Sequence, residues 1–387
     1  MKKFIFLIAF CAISISAFAQ IGTHISSTRL PPLETAWWSF PPNEQVLPWQ
    51  NAGCLNKLKA EGGLEVTLHI DVTQDLPGID GLSQEIMDKI NDNTIENILF
   101  YFPPGLYEFE ETIDLTNRSN IIFKGAGAEN TTLHFTYDYI KYVWGNYTVG
   151  WEYDNSFVIS NSSNIGFEDF KINNSPNLIQ TIISTTNKYI GGTYFAFSNS
   201  DHCWISGVHS YDAQRHHISI GSGNSNIEVR GCYIDKSNHR GNGGNGYGVV
   251  IGHKANRCLV ENNVFRKLRH SMIFGDSTFY NVLGYNYSRE NDSQGSTYNE
   301  PTDICFHGHS SHDDGPEFNL VEGNIANFIQ FDKAWEENGI NNLIFRNRAP
   351  KIADWDLNPL YPNNDNDDQI IVNGYMHNKS EQLNSGI

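Results

Sequence analysis

The fold is decided by residues 259–286, which read LVENNVFRKLRHSMIFGDSTFYNVLGYN. Two short apolar runs begin 23 residues apart, at Leu259 and Val282, and each is followed four residues later by an asparagine. A step of this length suits one coil made of three short strands and three turns, and such coils bury their apolar sides only by stacking. The stretch therefore predicts two successive coils of a parallel β-helix.

The same signal recurs over most of the chain. Short apolar strands start near Ile121, Ile165, Trp204, Ile227, Leu259, Val282, Leu320 and Leu343. The steps between these starts are 44, 39, 23, 32, 23, 38 and 23 residues, so that three equal 23 and one is close to twice that length. The repeat predicts an all-β fold, a single-stranded parallel β-helix over residues 61–350.

The recurring asparagines predict a feature of the turns. Asn263, Asn286, Asn324 and Asn347 each follow a strand start by four residues. Asparagine tolerates the left-handed backbone of a tight turn, and stacked copies can hydrogen-bond through their amides. We interpret these four residues as an architectural ladder and not as catalytic groups.

Both ends of the chain differ from the repeat. Residues 1–19 have the charge, the apolar stretch and the Ala-Phe-Ala ending of a cleaved signal peptide, so we expect a secreted or periplasmic protein. Residues 20–60 are expected to form an extended segment along the main body. Leu82, Ile86 and Ile90 recur at helical spacing, which predicts a short helix near 82–91 that caps one end of the stack. Residues 351–387 turn polar and predict a cap followed by a loose tail.

The composition excludes some partners. The formal net charge of −18 disfavours nucleic acid and anionic membranes, and no run after the signal peptide is apolar enough to insert into a bilayer. A polyanionic substrate is also disfavoured unless metal ions or a local basic surface compensate. The six cysteines are scattered, which predicts buried thiols and neither a disulfide framework nor a zinc site.

The third strand of each coil can be aligned on a glycine. The segments are HHISIGS (216–222), YGVVIGH (247–253), HSMIFGD (270–276) and DICFHGH (303–309). Coils in a parallel stack lie about 4.8 Å apart, so residues in one column of this alignment should be neighbours. Insertions around 238–246 and 289–302 enter the same turn of the coil, and we expect the two loops to flank the short turn at 267–270.

The first coils carry a family resemblance. Residues 102–109 read FPPGLYEF, residues 120–127 read NIIFKGAG, and Thr131-Thr132-Leu133 follows. This pattern resembles the opening coils of the pectate-lyase superfamily, shared by the rhamnogalacturonase-like and epimerase-like members with the pectin-lyase fold. The resemblance implies a right-handed parallel β-helix over roughly residues 65–350. It leaves the reaction open, because the superfamily contains lyases, hydrolases, epimerases and non-catalytic binding proteins.

One segment resembles a narrower group. HHISIGSG at 216–223 looks like the glycine-histidine-glycine strand of polygalacturonases. The Asn-Thr-Asp and Asp-Asp elements of that group are not found in the preceding coils, and its Arg-Ile-Lys element does not follow. No catalytic residue is therefore transferred from the polygalacturonases.

Ten of the 14 histidines lie between His202 and His312. One aligned column contains several side chains that can act as acids or bases. Its members are His216, Tyr247, His270 and Asp303. We expect His270 to act as a base oriented by Asp303, with Tyr247 as an acid toward a leaving oxygen. Arg269 and Lys267 are expected to neutralise a uronate carboxylate. The alternative is that these residues only make structural hydrogen bonds.

Other columns offer weaker candidates. His253, Asp276 and His309 align with Ser222 and could hold a metal ion, or form a solvated rim. His307 and Asp332 share a column whose earlier members are apolar, so His307 is expected to face inward. The carboxylates that a glycoside hydrolase would need are Asp276, Asp303, Asp332 and the pair Asp313-Asp314, and the aromatic residues that could stack on sugars are Trp144, Trp151 and Tyr298.

Taken together, these patterns predict a secreted polysaccharide-active enzyme. The first hypothesis is a lyase that cleaves a uronate-containing glycan by β-elimination. The second is a glycoside hydrolase with paired aspartates on the same face, and the third is a carbohydrate-binding β-helix without catalysis. We expect a monomer with a polysaccharide partner. The motifs require no cofactor and leave open a divalent cation such as calcium.

Overall fold

Short apolar stretches separated by asparagine and glycine form three parallel sheets in the computed structural model of the protein. The structure describes residues 52–54, 66–76, 81–92, 97–136, 155–174, 192–238, 240, 244–293, 301–307, 315–332, 342–355 and 370–372. The predicted signal peptide, most of the segment 20–60 and most of the polar tail lie outside these residues.

Sheet A contains eleven strands, one from each successive coil. They are β1 (Leu68–Asp71), β2 (Ile98–Phe102), β5 (Ser119–Gly125), β8 (Ser163–Glu168), β11 (Trp204–Ser206), β14 (Glu228–Arg230), β17 (Leu259–Glu261), β20 (Val282–Gly284), β23 (Leu320–Glu322), β25 (Leu343–Phe345) and β27 (Ile370–Val372). Eight of them, from β5 to β25, are the strands whose repeated starts the sequence predicted.

Sheet B contains seven strands, and each follows a strand of sheet A along the chain. They are β3 (Gly105–Phe109), β6 (Thr131–Phe135), β9 (Lys171–Asn174), β12 (His209–Ala213), β15 (Tyr233–Ser237), β18 (Val264–Arg266) and β21 (Tyr287–Arg289).

Sheet C contains nine strands and completes each coil. They are β4 (Ile113–Asp114), β7 (Phe157–Ser160), β10 (Phe195–Ser198), β13 (His216–Ile220), β16 (Tyr247–Ile251), β19 (His270–Phe274), β22 (Thr302–His307), β24 (Phe328–Asp332) and β26 (Lys351–Trp355). The chain therefore visits the sheets in the order A, B, C and pairs each strand in parallel with its equivalent one coil away. The predicted all-β parallel β-helix is confirmed.

The core is filled by columns of like side chains. Phe123 lies between Phe100 and Phe167, with ring centroids 5.2 and 5.5 Å apart and nearly parallel planes. Side chains alternate between the two faces of a strand, so a run of core residues at every second position leaves the intervening side chains on the outer face. In β24, for example, Ile329 and Phe331 lie in the core and Gln330 lies on the opposite face.

The asparagine ladder is present. Asn263 donates through Nδ2 to Oδ1 of Asn286 at 3.0 Å, Asn286 donates to Asn324 at 3.0 Å, and Asn324 donates to Asn347 at 2.9 Å. All four residues are buried, so each bond replaces one that water would otherwise make. A second ladder, which the sequence analysis missed, joins Asn281, Asn319 and Asn342 immediately before strands of sheet A.

Of the two reasons given for the first ladder, the hydrogen bonding between amides is confirmed, whereas the left-handed backbone of the asparagines is wrong. The left-handed residue of these turns is the one before each ladder asparagine, with φ of 56° at Asn262, 55° at Tyr285, 67° at Gly323 and 54° at Arg346. The asparagines are thus required for their amide bonds to the next coil and not for their backbone conformation.

Two helices precede most of the stack. The first, α1 (Val72–Asp75), has Asp71 at its N-terminus, where the side chain accepts a hydrogen bond from the N–H of Thr73 at 3.0 Å. The second, α2 (Leu82–Asn91), buries Ile86 and Ile90 against the end of the stack, beside β3 and β4, the first strands of sheets B and C. This is the capping helix that the sequence predicted.

The described part of the segment 20–60 lies against sheet A. The N–H of Gly53 donates to the carbonyl of Arg257 at 2.7 Å, and the N–H of Cys54 donates to Oε2 of Glu228 at 3.1 Å. The described cysteines are buried, as predicted. Within the described residues, no helix has the length and apolar character needed to span a bilayer.

Candidate active site

The first residues of four successive strands in sheet C form one column. The register pairs His216 with Tyr247, Tyr247 with His270, and His270 with Thr302. The rings of His216 and Tyr247 stack with centroids 4.8 Å apart and planes at 13°, and those of Tyr247 and His270 are 5.0 Å apart. Three of the four predicted members of the column are therefore neighbours. We call His216, Tyr247, His270 and Thr302 the ring column.

The prediction that Asp303 stands beside His270 is wrong. Thr302 occupies that place, and Nδ1 of His270 is hydrogen-bonded to its hydroxyl. The strand β22 has six residues where β19 has five, so the alignment on glycine displaced residues 303–309 by one position. His307, and not Gly308, follows Phe306 in the place that Gly275 takes after Phe274.

Asp303 points instead into the core. Its Oδ2 accepts hydrogen bonds from the backbone N–H groups of Asn327 at 2.6 Å and Phe328 at 2.8 Å, and its Oδ1 accepts from the side chains of Ser288 and Asn291. Burial raises the pKa of this carboxyl, and the four donors oppose that shift. The carboxylate therefore connects one coil to the beginning of the next strand of sheet C.

Arg269 joins the ring column from the preceding turn. Its Nη1 donates to the phenolic oxygen of Tyr247 at 3.1 Å and to the carbonyl of Asn245 at 3.4 Å. The guanidinium carbon lies 5.3 Å from the centre of the tyrosine ring, within the range of a cation–π contact. The predicted association of Arg269 with Tyr247 and His270 is therefore present.

Lys267 belongs to a different column. It lies one coil from Lys236 on one side and from Glu290 on the other, and all three have left-handed φ angles near 54–59°. Between Lys267 and Arg269 the side chain of Leu268 is buried in the core. The role predicted for Lys267 stays a prediction.

A loop glycine closes the ring column on one side. The carbonyl oxygen of Gly244 accepts hydrogen bonds from Nε2 of His216 and from Nε of Arg215, both at 3.0 Å. The N–H of the same glycine donates to the phenolic oxygen of Tyr247 at 2.9 Å. That oxygen thus accepts two hydrogen bonds, one from the backbone and one from Arg269.

The two predicted loops meet across the short turn. Arg240 of the first loop donates through Nε to Oδ1 of Asp292 of the second at 2.9 Å. The N–H of Asp292 also donates to the carbonyl of Leu268 at 2.9 Å. For the residues that the structure describes, the prediction that the two insertions flank residues 267–270 is confirmed.

Burial keeps the imidazoles of the ring column neutral. The pKa of His216 is lowered well below its usual value, first by burial and then by the charge of Arg215. The pKa of His270 is also lowered well below its usual value, by burial and then by the charge of Arg269. Tyr247 between them is partly exposed. The arrangement combines two neutral imidazoles, one partly exposed phenol and one fixed cation.

The proposed metal column is only partly described. Nδ1 of His253 lies 3.9 Å from Oδ2 of Asp276, which confirms that these two residues are neighbours. His309 lies outside the described residues. Among the residues that the structure describes, no three histidine, cysteine, aspartate or glutamate side chains gather in a group that could hold a metal ion.

The last candidate column holds His307 and Asp332, which are paired as predicted. Nε2 of His307 lies 3.8 Å from Oδ2 of Asp332, and the histidine side chain is partly exposed. Its predicted inward orientation is wrong, because Phe306 and Phe331 take the core positions. The pair Asp313-Asp314 and the aromatic residues Trp144, Trp151 and Tyr298 lie outside the described residues.

Two positions of the candidate site were missed by the sequence analysis. Thr302 directly precedes the residue that was chosen, so an alignment allowing an extra residue in β22 would have found it. Gly244 lies in a predicted loop with several glycines, and only the fold shows which of them contacts the ring column.

No known family profile matches the sequence, and no curated protein sequence matches it. Solved structures do align with it. The endo-xylogalacturonan hydrolase of Aspergillus tubingensis aligns over 77% of this chain and 75% of its own, with a TM-score of 0.51 and 14% identity. An exopolygalacturonase of Thermotoga maritima aligns over 75% and 74%, with a TM-score of 0.48 and 13% identity. The A-module of the mannuronan C-5 epimerase AlgE6 of Azotobacter vinelandii aligns over 70% and 75%, with a TM-score of 0.46 and 16% identity.

At these identities the likeness concerns the fold. The alignment with the xylogalacturonan hydrolase is a likeness of fold, that of a parallel β-helix, and by itself carries no reaction or substrate over to this chain.

Proposed function

We propose that the protein is an exported polysaccharide lyase, which cleaves a uronate-containing glycan by β-elimination at the ring column and Arg269. The observation that carries the proposal is the environment of Tyr247. Its phenolic oxygen accepts a hydrogen bond from the guanidinium of Arg269 at 3.1 Å, and its ring lies between His216 and His270. The aligned hydrolase of Aspergillus tubingensis acts on a polysaccharide, which supports a carbohydrate substrate.

β-Elimination needs a base, an acid and a cation. The base removes the proton from the carbon beside the uronate carboxyl group. The bond between the neighbouring carbon and the glycosidic oxygen then breaks, a carbon–carbon double bond forms, and the acid protonates the departing oxygen. Negative charge gathers on the carboxylate oxygens during the step, so a fixed cation stabilises the transition state.

The described residues can fill these roles. His270 acts as the base: with the Nδ1 proton donated to Thr302, its Nε2 is the unprotonated nitrogen. Its lowered pKa keeps that nitrogen available over a wide pH range. Tyr247 supplies the proton to the departing oxygen, and Arg269 neutralises the carboxylate. Thr302 orients His270 in place of Asp303.

The test measures two products in parallel. The protein is incubated with polygalacturonate, alginate and neutral glycans, and ultraviolet absorbance by the unsaturated product is compared with the release of reducing ends. We expect both signals to rise with a polyuronate. Tyr247→Phe should lower kcat by roughly 100-fold or more, a typical effect of removing a general acid. Tyr285→Phe, which alters a tyrosine on the sheet A side, is the control and should leave kcat within a factor of two.

A glycoside hydrolase is the second candidate. Asp276 and Asp332 lie in neighbouring columns of sheet C, each beside a histidine at 3.9 or 3.8 Å. Release of reducing ends without ultraviolet absorbance would support a glycoside hydrolase and reject the lyase. In that case Asp276→Asn or Asp332→Asn should abolish the release. A parent protein that binds a glycan but yields neither signal would instead be a binding protein.

Export is part of the proposal. The n-region with Lys2 and Lys3 and the Ala17-Phe18-Ala19 ending support cleavage before Gln20. Mass spectrometry of the protein recovered from the periplasm or medium should find Gln20 at its N-terminus. Recovery of the intact chain from the cytoplasm alone would contradict export.

A further inference from the structure

The outer face of sheet B is unlike the rest of the surface. Of the described residues, the large hydrophobic side chains that are exposed are Leu106 at 62%, Ile325 at 43% and Tyr287 at 39%. The register places all three in one column, to which His209 and Tyr233 also belong. Five coils or more thus present an apolar or aromatic group at the same position. We call this the sheet B face.

Cations lie beside the aromatic rings of this face. The ammonium nitrogens of Lys171 and Lys236 lie 5.1 and 5.5 Å from the ring centre of Tyr211. The guanidinium carbon of Arg289 lies 5.9 Å from the ring centre of Tyr287. The ring of Tyr233 contacts that of His209 with centroids 4.8 Å apart. Each tyrosine of the face therefore has a polar or cationic neighbour within reach of the same ligand.

The sheet B face carries several cations although the chain is acidic overall. The whole sequence has a formal net charge of −18, whereas the outward positions of sheet B and its last column member include Lys171, Arg266, Arg289 and Arg348. Asp235 is already bound by Arg266 through two hydrogen bonds of 3.0 and 3.2 Å. Glu108 lies toward the capped end. Beside the face, Glu290 lies 3.8 Å from Arg266 and 3.6 Å from Arg289, and Asp212 pairs with Lys236 at 3.0 Å. The cations Lys171, Lys236, Arg266, Arg289 and Arg348 thus slightly outnumber the acids of the sheet B face, on a chain that is acidic overall.

We propose that the sheet B face is a second glycan-binding surface, separate from the ring column, which holds an anionic, uronate-bearing polysaccharide. A uronosyl residue has an apolar face of C–H groups, which stacks on aromatic rings, and a carboxylate, which pairs with arginine or lysine. The alternation of aromatic and cationic groups on this face matches both parts. A neutral glycan would use only the aromatic rings.

The dimensions suit a polymer. Tyr211 and Tyr287 are separated by three coil steps, or about 14 Å at ~4.8 Å for each step. The strand β18 of sheet B leads through the turn that carries Arg269 into β19 of sheet C, so a chain held on the sheet B face lies beside that turn. The ligand class rests on the proposed function, whereas the existence of the surface does not.

The test measures binding in protein that cannot turn over its ligand. In a Tyr247→Phe background, the Kd for polygalacturonate and for alginate is measured by isothermal titration calorimetry, with fully methyl-esterified polygalacturonate as the neutral probe. Tyr287→Ala and Arg289→Gln should each weaken binding of a polyuronate by at least about fivefold. Arg289→Gln should leave binding of the methyl ester within twofold.

A second tyrosine–arginine pair provides the matched controls. The guanidinium carbon of Arg257 lies 5.6 Å from the ring centre of Tyr280, between sheets C and A. Tyr280→Ala and Arg257→Gln remove the same groups there and should leave the Kd within twofold, while circular dichroism verifies folding of every variant.

The outcomes separate this surface from the lyase reaction. Unchanged Kd values for Tyr287→Ala and Arg289→Gln, or no binding of either polyuronate by the folded parent, would overturn the sheet B face as a glycan site. Weakened binding in these variants, together with a parent that makes no unsaturated product, would support the surface and reject the lyase. Unchanged Kd values in Tyr287→Ala and Arg289→Gln, together with an unsaturated product from the parent that is lost in Tyr247→Phe, would support the lyase and reject the surface.

Discussion

The backbone N–H of Gly244 donates to the phenolic oxygen of Tyr247 at 2.9 Å, while the carbonyl of the same glycine accepts from His216 at 3.0 Å. A single residue of a loop therefore positions two members of the ring column. Its φ of 75° lies in the left-handed region, where an L-residue with a Cβ atom is strained. The conformation of this glycine is part of what holds the candidate site together.

Gly244→Ala tests that dependence. A Cβ atom would meet only Nη2 of Arg215, at 4.0 Å, so the cost is backbone strain of about 1–2 kcal/mol and not a clash. We expect a small fall in Tm and a marked fall in kcat, because relaxation of the loop displaces both hydrogen bonds. Gly231→Ala is the matched control, with φ of 63° and nothing within 4 Å of the added atom. Equal loss of kcat in the two variants would contradict the positioning role.

Thr302→Val tests the orientation of His270. The substitution keeps the shape of a β-branched side chain and removes the hydroxyl that is bonded to Nδ1. We expect kcat to fall by about tenfold or more with a stability loss of about 1 kcal/mol, typical of one lost hydrogen bond. Thr302→Ser should restore most of the activity. Unchanged kinetics in Thr302→Val would show that the bond is structural.

Asp303→Asn tests the correction of the site. An amide cannot accept all four hydrogen bonds that reach the carboxylate. Its own NH₂ group would face either the backbone N–H of Asn327 or the side-chain donors of Ser288 and Asn291. We expect the free energy of unfolding to fall by about 2–4 kcal/mol, measured by urea denaturation. The pH profile of the remaining activity should keep its shape. A fully stable variant whose activity has an altered pH profile would instead support the original assignment of Asp303 to the active site.

Stability should depend on pH through three buried histidines. Burial lowers the pKa values of His216 and His270 well below normal and that of His217 to about 3. Above pH ~6.5 these groups are neutral in both folded and unfolded protein. As the pH falls below that value, the unfolded chain binds protons that the native protein does not bind. Each histidine then lowers the free energy of unfolding by about 1.4 kcal/mol per pH unit, until its folded pKa is reached.

Urea denaturation between pH 7.5 and 5.5 measures this slope. The raised pKa of Asp303 acts in the opposite direction, since the native protein takes up that proton before the unfolded chain does, and its effect belongs to lower pH. His217→Asn should reduce the slope by one proton. A free energy of unfolding that does not change over this interval would show that the histidines are accessible to protons in the native protein.

Most of the fold could be predicted from sequence because the repeat is local. A strand followed by a two-residue turn recurs at intervals of 23 or more residues, and the second residue of that turn is often asparagine. A strand placed in the wrong register would bring charged side chains into a phenylalanine-lined core. Leu82, Ile86 and Ile90 likewise predicted α2, because a helix at the end of a stack has only one apolar face.

The site was predicted less well because it depends on single-residue register. The segments at 216, 247 and 270 align through Gly221, Gly252 and Gly275, but the additional residue of β22 moves His307 to the glycine position. Parity also changes at the corner between sheets B and C. Ser271 bonds to Ser288 in the core and Met272 also lies in the core, so two consecutive side chains face inward there. Simple alternation cannot represent such a corner.

The asparagine ladder gives the stack a direction. Every bond runs from an amide nitrogen to the oxygen of the equivalent residue one coil later. Each coil therefore donates a hydrogen bond to the following coil and accepts one from the preceding coil. A unit of 23 residues could be inserted or excised between Asn263 and Asn286, and the same asparagine hydrogen bonds would form on both sides of the change. The protein can therefore change length in whole increments during evolution, and the spacing between groups on its surfaces can be lengthened without redesign of the interior.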